Sequence, residues 1–471
     1  MQDYNPILNV DSYKTSHYLQ YPEGTQYVSS YIESRGGQFK EAVFFGLQAF
    51  IKQYLMQPIT AADIDEAEEV CTVHGVPFHR AGWEYIVEQH GGYLPIEIQA
   101  VPEGTLVPVQ NVLAQVINTD PACFWLTSYI ETALLRAVWY PTTVATQSRE
   151  AKKIIQRYLE ETADTIDGLP FKLHDFGARG ASSTETAAIG GLAHLVNFQG
   201  TDTIGALLAG RRYYNAPMAG FSIPAAEHST MTSWGRDHEA DAYRNMLTQF
   251  GGDGGIVAVV SDSYDLWHAI ENIWGGELKE QVENSGGTLV IRPDSGDPVD
   301  VVTQTVERLM RIFGARINDK GYRVLPDYIR VIQGDGVSLH TIEGILAAMK
   351  ARKQSADNVA FGMGAELLQK VNRDTMKFAM KASAVRVNGL WRDVFKDPIT
   401  DTGKRSKKGR LALVTRGNGT LHTIREQDLG NRTNLLQTVF RNGELLIDQT
   451  FEAVRALAAV PATANELARA G

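Results

Sequence analysis

The stretch TLVIRPDSGDPVDVVTQTVERLMRIF, residues 288–313, contains a complete strand-and-helix unit. It begins with an apolar, β-branched run that favours a buried strand, and a polar loop follows. From Val299 to Phe313 the apolar residues recur every three or four positions, which is typical of a helix with one buried face. Strands that alternate with such helices form parallel sheets, so the stretch predicts an α/β fold.

The same alternation recurs along the chain from about residue 170. The strand-like runs are FKLHDFG, LVNFQGTD, GFSIPAAEH, IVAVVSDS, IRVIQGDG, NVAFGMG and a run near 377–387. About this many strand–helix units can close into a β/α barrel. We therefore predict a barrel-like domain over residues 166–387.

The two ends of the chain have a less regular pattern. Helices are expected at 45–55, 60–73 (with Thr60 as N-cap) and 122–140, and residues 94–120 alternate around a Pro-Glu-Gly turn like a hairpin or small antiparallel sheet. Because chain termini often lie close together, we predict one mixed α+β domain from residues 1–165 and 388–471. Its basic run KRSKKGR (404–410) fits a solvated loop, a nuclear-localisation-like patch or a phosphate-grasping loop.

Composition narrows the class of protein. The chain has 471 residues, of which 44% are hydrophobic and 21% charged, and its net charge of −10 indicates no nucleic-acid surface. Cys71 and Cys123 form no pairing or metal motif, which fits a reducing cytosol. The N-terminus lacks a signal-peptide core, and the most apolar segment, Thr186 to Thr201, is interrupted by glycines and polar residues. We expect a cytoplasmic protein without membrane or nucleic-acid partners.

Polar residues follow nearly every predicted strand. They are His174, Asp175, Asp202, Glu227, His228, Asp262, Arg292, Asp294 and Asp335. One aspartate after a strand is most often a helix N-cap, but the carboxyl ends of parallel strands converge on one opening. Several strands that end alike therefore predict a ligand site there.

Several of these loops suit a phosphate-bearing ligand. RGASSTE (179–185) joins Arg179 to a capping box from Ser182 to Glu185, and helix N-terminal N–H groups favour anions. Arg292 and Asp294 are two residues apart and so share one face of an extended segment. Carboxylates around phosphate anchors imply Mg²⁺. The sequence contains no Walker A motif, no complete zinc-protease motif and no G-x-S-x-G elbow.

Eleven longer motifs carry a resemblance to a known family. They are DSYKTSHY (11–18), VFFGLQ (43–48), WYPTTVATQSRE (139–150), KLHDFGARG (172–180), HLVNFQGTDT (194–203), IPAAEHST (223–230), VVSDSYD (259–265), IRPDSGDP (291–298), RVIQGDGV (330–337), and VFKDP (394–398) with KRSKKGRL (404–411). In order, from about residue 5 to 450, they closely resemble the nicotinamide phosphoribosyltransferases.

The resemblance implies a type II phosphoribosyltransferase fold, an irregular β/α barrel plus a mixed α+β domain built from both chain ends. It also implies a homodimer with active sites at the interface. The implied reaction joins nicotinamide to phosphoribosyl pyrophosphate, giving nicotinamide mononucleotide and pyrophosphate in NAD salvage. Mg²⁺ accompanies the substrate, and ATP hydrolysis stimulates the reaction.

The resemblance also assigns residues to the nicotinamide ring. Phe176 and the partner subunit's Tyr13 are expected to stack on its two faces. Asp202 is expected to accept a hydrogen bond from the carboxamide N–H₂ and to repel nicotinate. Arg292 is expected to contact the carboxamide oxygen, and Arg179 to lie beside the ring and the phosphate.

The remaining roles concern ribose, phosphate and ATP. The residues expected to hold ribose and its phosphate are Asp294, Gly334 and Asp335, and those expected to bind phosphate and pyrophosphate are Arg35, Arg373, Lys381 and Lys396. His228 matches a histidine that ATP phosphorylates, Asp262 matches the carboxylate that holds its ring, and Glu227 is an expected helper. A general-base role for His228 is unattractive, because the pyridine nitrogen carries no proton to remove.

Two positions depart from the family pattern. Ala258 replaces a serine of the nicotinamide tunnel, so the sequence does not define the contacts along that tunnel. Ala365 stands in place of a glycine-rich run, where a Cβ at a position needing positive φ would cause strain.

Three other functions compete with this prediction. Nicotinate phosphoribosyltransferase shares the fold and the histidine chemistry, and Asp202 distinguishes it. A secreted signalling or binding protein on the same fold would not need the ionisable constellation. A metal-dependent barrel hydrolase would use the aspartates but not the basic phosphate anchors.

Overall fold

The opening stretch folds as its pattern predicts. A computed structural model describes residues 5–400 and 405–459, and in it residues 288–313 form a strand, Thr288–Arg292, and a helix, Pro298–Phe313. The Asp297 carboxylate caps the helix, because it accepts hydrogen bonds from the backbone N–H groups of Val299 and Asp300, each at 3.0 Å. The apolar face of the helix is buried.

The strands, in chain order, are β1 (Thr25–Ser34), β2 (Glu41–Val43), β3 (Ile96–Ala100), β4 (Leu106–Pro108), β5 (Val112–Asn118), β6 (Leu173–Asp175), β7 (Gly200–Thr201), β8 (Ile256–Val260), β9 (Thr288–Arg292), β10 (Arg316–Ile317), β11 (Arg323–Val324), β12 (Ile329–Gln333), β13 (Val359–Met363), β14 (Phe378–Val387), β15 (Leu390–Asp393), β16 (Leu411–Thr415), β17 (Leu421–Arg425), β18 (Gln437–Arg441) and β19 (Glu444–Leu445).

The α-helices are α1 (Leu47–Phe50), α2 (Ala61–His74), α3 (Arg80–His90), α4 (Leu126–Tyr129), α5 (Glu131–Thr162), α6 (Thr184–Leu195), α7 (Ile204–Tyr214), α8 (His228–Thr232), α9 (Glu239–Phe250), α10 (Leu266–His268), α11 (Lys279–Glu283), α12 (Pro298–Phe313), α13 (Leu339–Ala351), α14 (Ala365–Leu368) and α15 (Phe451–Ala458). Two further segments, Ile51–Leu55 and Ala269–Glu277, are π-helices.

The described residues divide into two compact units. The first contains residues 5–146, 209–216, 372–400 and 405–459, and the second contains residues 147–208 and 217–371. The sequence prediction placed the domain changes at 165/166 and 387/388. In the structure the first unit draws on both chain ends, as an α+β layer, and the second contains the parallel strands.

The second unit is an irregular β/α barrel. Its sheet has the order β7-β6-β13-β12-β9-β8, and the pairs between neighbours are parallel. The predicted strand GFSIPAAEH is reduced to isolated bridges, Gly200 with Phe221 and Ala225 with Ala258. These bridges join the segment Phe221–Ala226 to both edge strands, so this segment closes the barrel.

The first unit is organised around a seven-stranded antiparallel sheet of order β15-β14-β1-β5-β3-β18-β19. The prediction that residues 377–387 belong to the barrel is wrong, because β14 pairs antiparallel with β1 from Val387 to Phe378. A two-residue turn, Asn388 and Gly389 with φ of 49° and 81°, joins β14 to β15. Such a turn makes a hairpin, whereas a parallel neighbour needs a long crossover.

The predicted helices are mostly confirmed, with shifts at their ends. Thr60 caps α2 in a capping box with Asp63, as predicted. The helix expected over 122–140 is instead α4 followed by α5, which continues past Pro141. The cap of α6 is Ser183 rather than Ser182, because the Ser183 hydroxyl accepts from the Thr186 N–H at 3.1 Å. No helix in the described part of the chain combines the length and apolar character needed to cross a membrane.

Candidate active site

The barrel mouth, meaning the edge of the parallel sheet where the strands end, collects most of the predicted residues. Asp175 is the last residue of β6 and Arg292 the last of β9. Asp202 directly follows β7, and Asp262 comes two residues after β8. Gly334 and Asp335 follow β12. The parallel order thus brings residues that are far apart in sequence to one edge.

His228 is the first residue of α8, and its ring has different surroundings on its two nitrogens. Nδ1 lies 3.0 Å from the Ser263 hydroxyl oxygen. Nε2 lies 3.6 Å from Asp262 Oδ1 and 3.5 Å from Asp294 Oδ2. The side chain is 43% exposed, so a ligand can reach the ring. The predicted pairing of His228 with Asp262 is therefore present, with Asp294 as a second carboxylate.

Asp262 is held in place by two donors. Its Oδ2 accepts from the Asp294 backbone N–H at 3.0 Å and from the Ser295 hydroxyl at 2.5 Å. Its side chain is only 3% exposed, and Oδ1 has no hydrogen-bond partner among the described residues. Since Oδ1 faces His228 Nε2, the buried carboxylate is directed at the imidazole.

Arg292 and Asp294 lie together, as their spacing predicts. Arg292 Nη2 is 3.3 Å from Asp294 Oδ2. Arg292 Nε is buried and has no hydrogen-bond partner among the described residues. Gly334 lies against the same group, because a Cβ there would be 3.4 Å from Asp294 Oδ1 and 3.5 Å from the Phe176 ring. These four residues line one part of the barrel mouth.

Phe176 packs against a strand position that has no side chain. A Cβ at Gly362 of β13 would lie 2.0 Å from Phe176 Cε2, so the ring rests directly on the β13 backbone. The ring also packs against an apolar cluster of Ala258, Val290 and Ile332, together with Ile223 and Ala360. These side chains come from segments around a closed wall, so they meet inside the barrel. The arrangement offers a flat aromatic surface at the inner end of the mouth.

Asp202 lies near the His174 ring. Its Oδ1 accepts from the Ser222 hydroxyl at 2.6 Å. Burial lowers the pKa of His174, and the charge of Asp202 opposes that shift, which places the carboxylate near this ring. The His174 and Phe176 ring centroids are 6.2 Å apart. Asp202 therefore has its carboxylate near His174, which in turn is a neighbour of Phe176.

Arg179 and Glu227 form an exposed pair at the mouth. Arg179 Nη1 lies 3.5 Å from Glu227 Oε2, with side chains 88% and 57% exposed. A hydrogen bond from Ser229, followed by the charges of Arg179 and Arg292, lowers the pKa of Glu227. Glu227 is the N-cap of α8, so it and His228 are not alternating residues of a strand.

The first unit contains a separate basic cluster. Burial lowers the pKa of Lys381 on β14; the charge of Glu131 opposes that shift, and the charges of Arg35, Lys14 and Arg373 add to it. Arg35 Nε is buried and unpartnered among the described residues. Three predicted phosphate ligands, Arg35, Arg373 and Lys381, are thus close together, with Lys14 as an additional cation. Such a cluster is stabilised by an anion.

Tyr13 and Lys396 are the other two predicted site residues in the first unit, and both are exposed. Tyr13 is 59% exposed on the 3₁₀-helix Ser12–Leu19, which is tied down by the Lys14–Glu131 ion pair at 2.6 Å. Lys396 is exposed, and its backbone N–H donates to the Ser406 hydroxyl at 2.7 Å. Of the basic run 404–410, Lys404 lies outside the described residues.

The structure shows how Ala258 and Ala365, the two departures from the family pattern, are accommodated. Ala258 is on β8 in the apolar cluster beside Phe176, where its methyl group packs. Ala365 is the first residue of α14 and does not have positive φ, so the expected strain is absent. Gly180 makes room for it, because a Cβ at Gly180 would lie 2.9 Å from the Ala365 Cβ.

Sequence reasoning missed the residues that support this site. Ser263 contacts His228, Ser295 contacts Asp262, and Ser222 contacts Asp202. Gly362 provides the space for Phe176, and Glu131 is the anion beside the basic cluster. Ser263 and Ser295 directly follow Asp262 and Asp294 in VVSDSYD and IRPDSGDP, and that adjacency was the available signal.

Among the described residues, one group of His, Cys, Asp and Glu side chains has the spacing of a metal site. It is His90, Asp120 and Cys123 in the first unit, with ligand atoms within 4.8 Å of one another. Asp120 Oδ2 already accepts from Tyr85 at 3.0 Å and contacts His90 at 2.8 Å, so the group is satisfied internally. At the barrel mouth, the carboxylates of Asp294, which is partly exposed, and Asp335, which is exposed, are accessible to a ligand.

Comparison with known proteins identifies the family. Residues 171–444 match the nicotinate phosphoribosyltransferase (NAPRTase) family, and residues 5–98 match the N-terminal domain of nicotinamide phosphoribosyltransferase. The chain belongs to the nicotinate phosphoribosyltransferase family. As a member it is a pentosyltransferase, and the predicted family resemblance is confirmed.

Individual relatives cover nearly the whole chain. It is 56% identical over 458 residues to a nicotinamide phosphoribosyltransferase of Xanthomonas campestris, covering 96% of this chain and 97% of the relative. It is 33% identical over 488 residues to one of Acinetobacter baylyi, covering 96% of both.

Solved structures confirm the predicted type II phosphoribosyltransferase fold. The nicotinate-nucleotide pyrophosphorylase of Pyrococcus furiosus matches with a TM-score of 0.63 and 15% identity over 97% of both chains. Human nicotinic acid phosphoribosyltransferase matches with a TM-score of 0.55 and 17% identity, covering 95% of this chain and 92% of that one. At this identity the likeness concerns the fold alone.

Proposed function

We propose that this enzyme transfers the phosphoribosyl group of phosphoribosyl pyrophosphate to nicotinamide. The products are nicotinamide mononucleotide and pyrophosphate, and the reaction belongs to NAD salvage. Relatives that match this chain over nearly its full length are nicotinamide phosphoribosyltransferases. The barrel mouth supports the proposal, because it presents an aromatic surface, an arginine and carboxylates in one place.

The observation that carries the choice of nicotinamide is the carboxylate of Asp202 near the His174 ring, whose centroid is 6.2 Å from that of Phe176. A carboxamide N–H₂ can donate to a carboxylate oxygen, whereas a nicotinate carboxylate would be repelled by it. Arg292 has an unpartnered Nε that suits the carboxamide oxygen. Phe176 supplies one stacking surface for the pyridine ring.

The chemistry needs positioning more than proton transfer. The pyridine nitrogen has a free lone pair, so attack on the anomeric carbon needs no general base. The departing pyrophosphate and the oxocarbenium-like sugar carry the developing charge. Asp294, Gly334 and Asp335 suit the ribose and its phosphate, while Arg35, Arg373, Lys381 and Lys396 suit pyrophosphate. Mg²⁺ enters as part of the magnesium–pyrophosphate substrate.

ATP is proposed to act through His228. The ring is accessible and faces the buried Asp262 carboxylate, which is an arrangement suited to a phosphoryl acceptor. His228→Ala is expected to reduce the stimulation by ATP far more than the basal synthesis of mononucleotide. An equal loss of both rates would contradict this role. The cytoplasmic location and the lack of nucleic-acid and membrane partners stay predictions from the sequence.

The enzyme is proposed to work as a homodimer in which the partner subunit's Tyr13 covers the nicotinamide ring. The exposed Tyr13 side chain fits a residue that acts on another chain. Subunits with Tyr13→Ala and subunits with Phe176→Ala can be mixed. If the two rings of one site come from different subunits, mixed dimers contain one intact site and recover activity. If mixing restores nothing, this sharing is wrong.

The function is tested by incubating the protein with phosphoribosyl pyrophosphate, Mg²⁺ and either nicotinamide or nicotinate, with and without ATP. Mononucleotide should form from nicotinamide, with a clear preference in kcat/KM over nicotinate. Asp202→Ala should lower kcat/KM for nicotinamide by about 10- to 100-fold, the value of a charge-assisted hydrogen bond, and erode the preference. Ser285→Ala, at the opposite end of β9, is the control. An unchanged preference in Asp202→Ala would refute the assignment.

A further inference from the structure

Asp175 has a buried carboxylate that none of the proposed substrate contacts uses. It is the last residue of β6, and it is 0% exposed. We propose that Asp175 is the positioning residue that holds Phe176 and Asp202 in place, and that it thereby sets the preference for nicotinamide over nicotinate. The proposal rests on the nicotinamide contacts proposed above for those two residues. It adds the group that fixes their positions.

The Asp175 carboxylate lies against helix α6. A Cβ at Gly191 of α6 would lie 2.9 Å from Asp175 Oδ2, so the missing side chain at Gly191 makes room for the carboxylate. Phe176, the next residue, packs instead in the apolar cluster inside the barrel. Because Asp175 has no exposed surface, a ligand in the barrel mouth cannot touch it. Any effect of Asp175 on ligand binding therefore passes through its neighbours.

One oxygen of the carboxylate fixes the segment that carries Phe176. Asp175 Oδ1 accepts from the Gly177 backbone N–H at 2.7 Å. The Phe176 N–H donates to the Met363 carbonyl oxygen of β13 at 3.0 Å. The peptide groups on both sides of the Phe176 Cα are thus tied down, one to β13 and one to Asp175. These two hydrogen bonds set the direction in which the ring leaves the backbone.

The other oxygen fixes the turn that carries Asp202. Asp175 Oδ2 accepts from the Thr201 hydroxyl at 3.3 Å. The same hydroxyl oxygen accepts from the Thr203 N–H at 3.0 Å, so it closes a short turn around Asp202. The Asp202 N–H donates to the Asp175 carbonyl oxygen at 3.0 Å. Asp202 is therefore held at its own amide and through the residue on either side.

The position of this charge indicates a role beyond packing. Burial raises the pKa of Asp175, the hydrogen bonds from Gly177 and Thr201 oppose that shift, and the charge of Asp202 adds to it. A buried carboxylate next to another carboxylate costs free energy, so an apolar side chain would serve better for packing alone. The donors that compensate Asp175 are the neighbours of Phe176 and Asp202. The carboxylate thus joins the two segments proposed to bind nicotinamide.

The first test is Asp175→Asn, which keeps the shape but leaves one acceptor oxygen instead of two. The amide oxygen cannot accept from both Gly177 and Thr201, so the support of Phe176 or Asp202 is lost. The kcat/KM for nicotinamide should fall about tenfold, mainly through KM, as loss of a charge-assisted hydrogen bond implies. Nicotinate gains nothing from the Asp202 carboxylate, so its kcat/KM should fall less. The KM for phosphoribosyl pyrophosphate should stay within about twofold of wild type.

Thr201 provides an independent test of the Asp202 side. Thr201→Val removes the hydroxyl at nearly constant volume, and it should lower the ratio of kcat/KM for nicotinamide to kcat/KM for nicotinate about fivefold or more. Thr201→Ser keeps the hydroxyl and should retain the wild-type ratio. In the double variant with Asp175→Asn, the loss should be smaller than the product of the two single losses, because both substitutions remove one shared contact.

Glu103→Gln is the matched control. Glu103 is a buried carboxylate of the first unit that accepts from backbone N–H groups and a tyrosine hydroxyl. Like Asp175→Asn, this substitution should lower the melting temperature. It should leave the ratio of kcat/KM for nicotinamide to kcat/KM for nicotinate unchanged. The control therefore separates a loss of stability from a loss of positioning.

The outcomes distinguish this role from the proposed function. A wild-type protein that forms no mononucleotide from nicotinamide refutes both. An active wild type whose kcat/KM ratio is unchanged in Asp175→Asn and Thr201→Val refutes only the role of Asp175. An equal rise of the KM for nicotinamide and for phosphoribosyl pyrophosphate in Asp175→Asn also refutes it, because a general loss of structure has that result. If Asp175→Asn does not fold, the comparison of Thr201→Val with Thr201→Ser decides.

Discussion

Gly362→Ala should impair the binding of nicotinamide by moving the Phe176 ring. A Cβ at this position would lie 2.0, 2.1 and 2.8 Å from three atoms of that ring. Ordinary contact begins at 3.4 Å, so the ring would have to retreat by about 1.4 Å. Gly362 does not have positive φ, so the β13 backbone itself accepts alanine. The perturbation therefore acts on the ring.

The expected loss of nicotinamide affinity follows from the free energy that stacking on the Phe176 ring contributes. Aromatic stacking contributes about 0.5–1.5 kcal/mol beyond area burial, which corresponds to roughly a 2- to 13-fold change in affinity. Overpacking costs about 1–3 kcal/mol of folding stability. The KM for nicotinamide should therefore rise several-fold, the KM for phosphoribosyl pyrophosphate should change less, and the melting temperature should fall by a few degrees.

A second substitution separates the effect on nicotinamide binding from the effect on folding stability. In the Gly362→Ala background, Phe176→Leu removes the clash, so stability should recover while the KM for nicotinamide stays high. Gly252→Ala is the matched control, because the nearest atom to a Cβ there is 4.0 Å away. Steady-state kinetics and thermal unfolding measure both quantities. A nicotinamide KM within twofold of wild type in Gly362→Ala would show that Phe176 does not stack on the substrate.

Three other perturbations test the remaining parts of the molecule. Lys381→Ala should raise the KM for phosphoribosyl pyrophosphate about tenfold and the KM for nicotinamide much less, as steady-state kinetics would show. Glu103→Gln should cost about 1–3 kcal/mol of folding free energy, because the buried Glu103 carboxylate accepts from two backbone N–H groups and the Tyr214 hydroxyl; thermal unfolding measures it. Burial lowers the pKa of His17 and His79, so below about pH 6.5 the unfolded state binds more protons and the melting temperature should fall as pH decreases. His79→Phe, which keeps a ring stacked on Tyr18, should weaken that dependence.

The fold could be predicted where local pattern and global pairing agree. The stretch 288–313 encodes its strand, its capped helix and its need for parallel neighbours. The polar residues at strand ends then locate the barrel mouth, because parallel pairing puts all carboxyl ends at one edge. The family motifs supplied roles for residues that spacing alone could not distinguish from helix caps, such as Asp202 and Asp262.

The sequence-based predictions were wrong where one local sequence pattern is compatible with two different structures. Residues 377–387 read as another barrel strand, but the following Asn388-Gly389 is a hairpin signal that makes β14 antiparallel. The serine contacts and the space above Gly362 depend on side chains that approach across strands, and one sequence does not reveal such pairs. The shift of the α6 cap from Ser182 to Ser183 shows the same limit, since both serines satisfy the capping pattern.

The irregular closing segment explains how His228 comes to face two carboxylates. A seventh regular strand would point Glu227 and His228 to opposite sides of the wall. Instead Phe221–Ala226 bonds to β7 and β8 at only a few points, and α8 begins at His228 immediately afterwards. The helical start turns the imidazole toward Asp262 beyond β8 and Asp294 beyond β9. Asp294 also contacts Arg292, so one carboxylate lies between the histidine and the arginine proposed to bind nicotinamide. If ATP phosphorylates His228 as proposed, the phosphoryl group adds negative charge beside Asp294, which contacts Arg292. The loss of strand regularity at one position therefore joins His228, Asp294 and Arg292 by direct side-chain contacts.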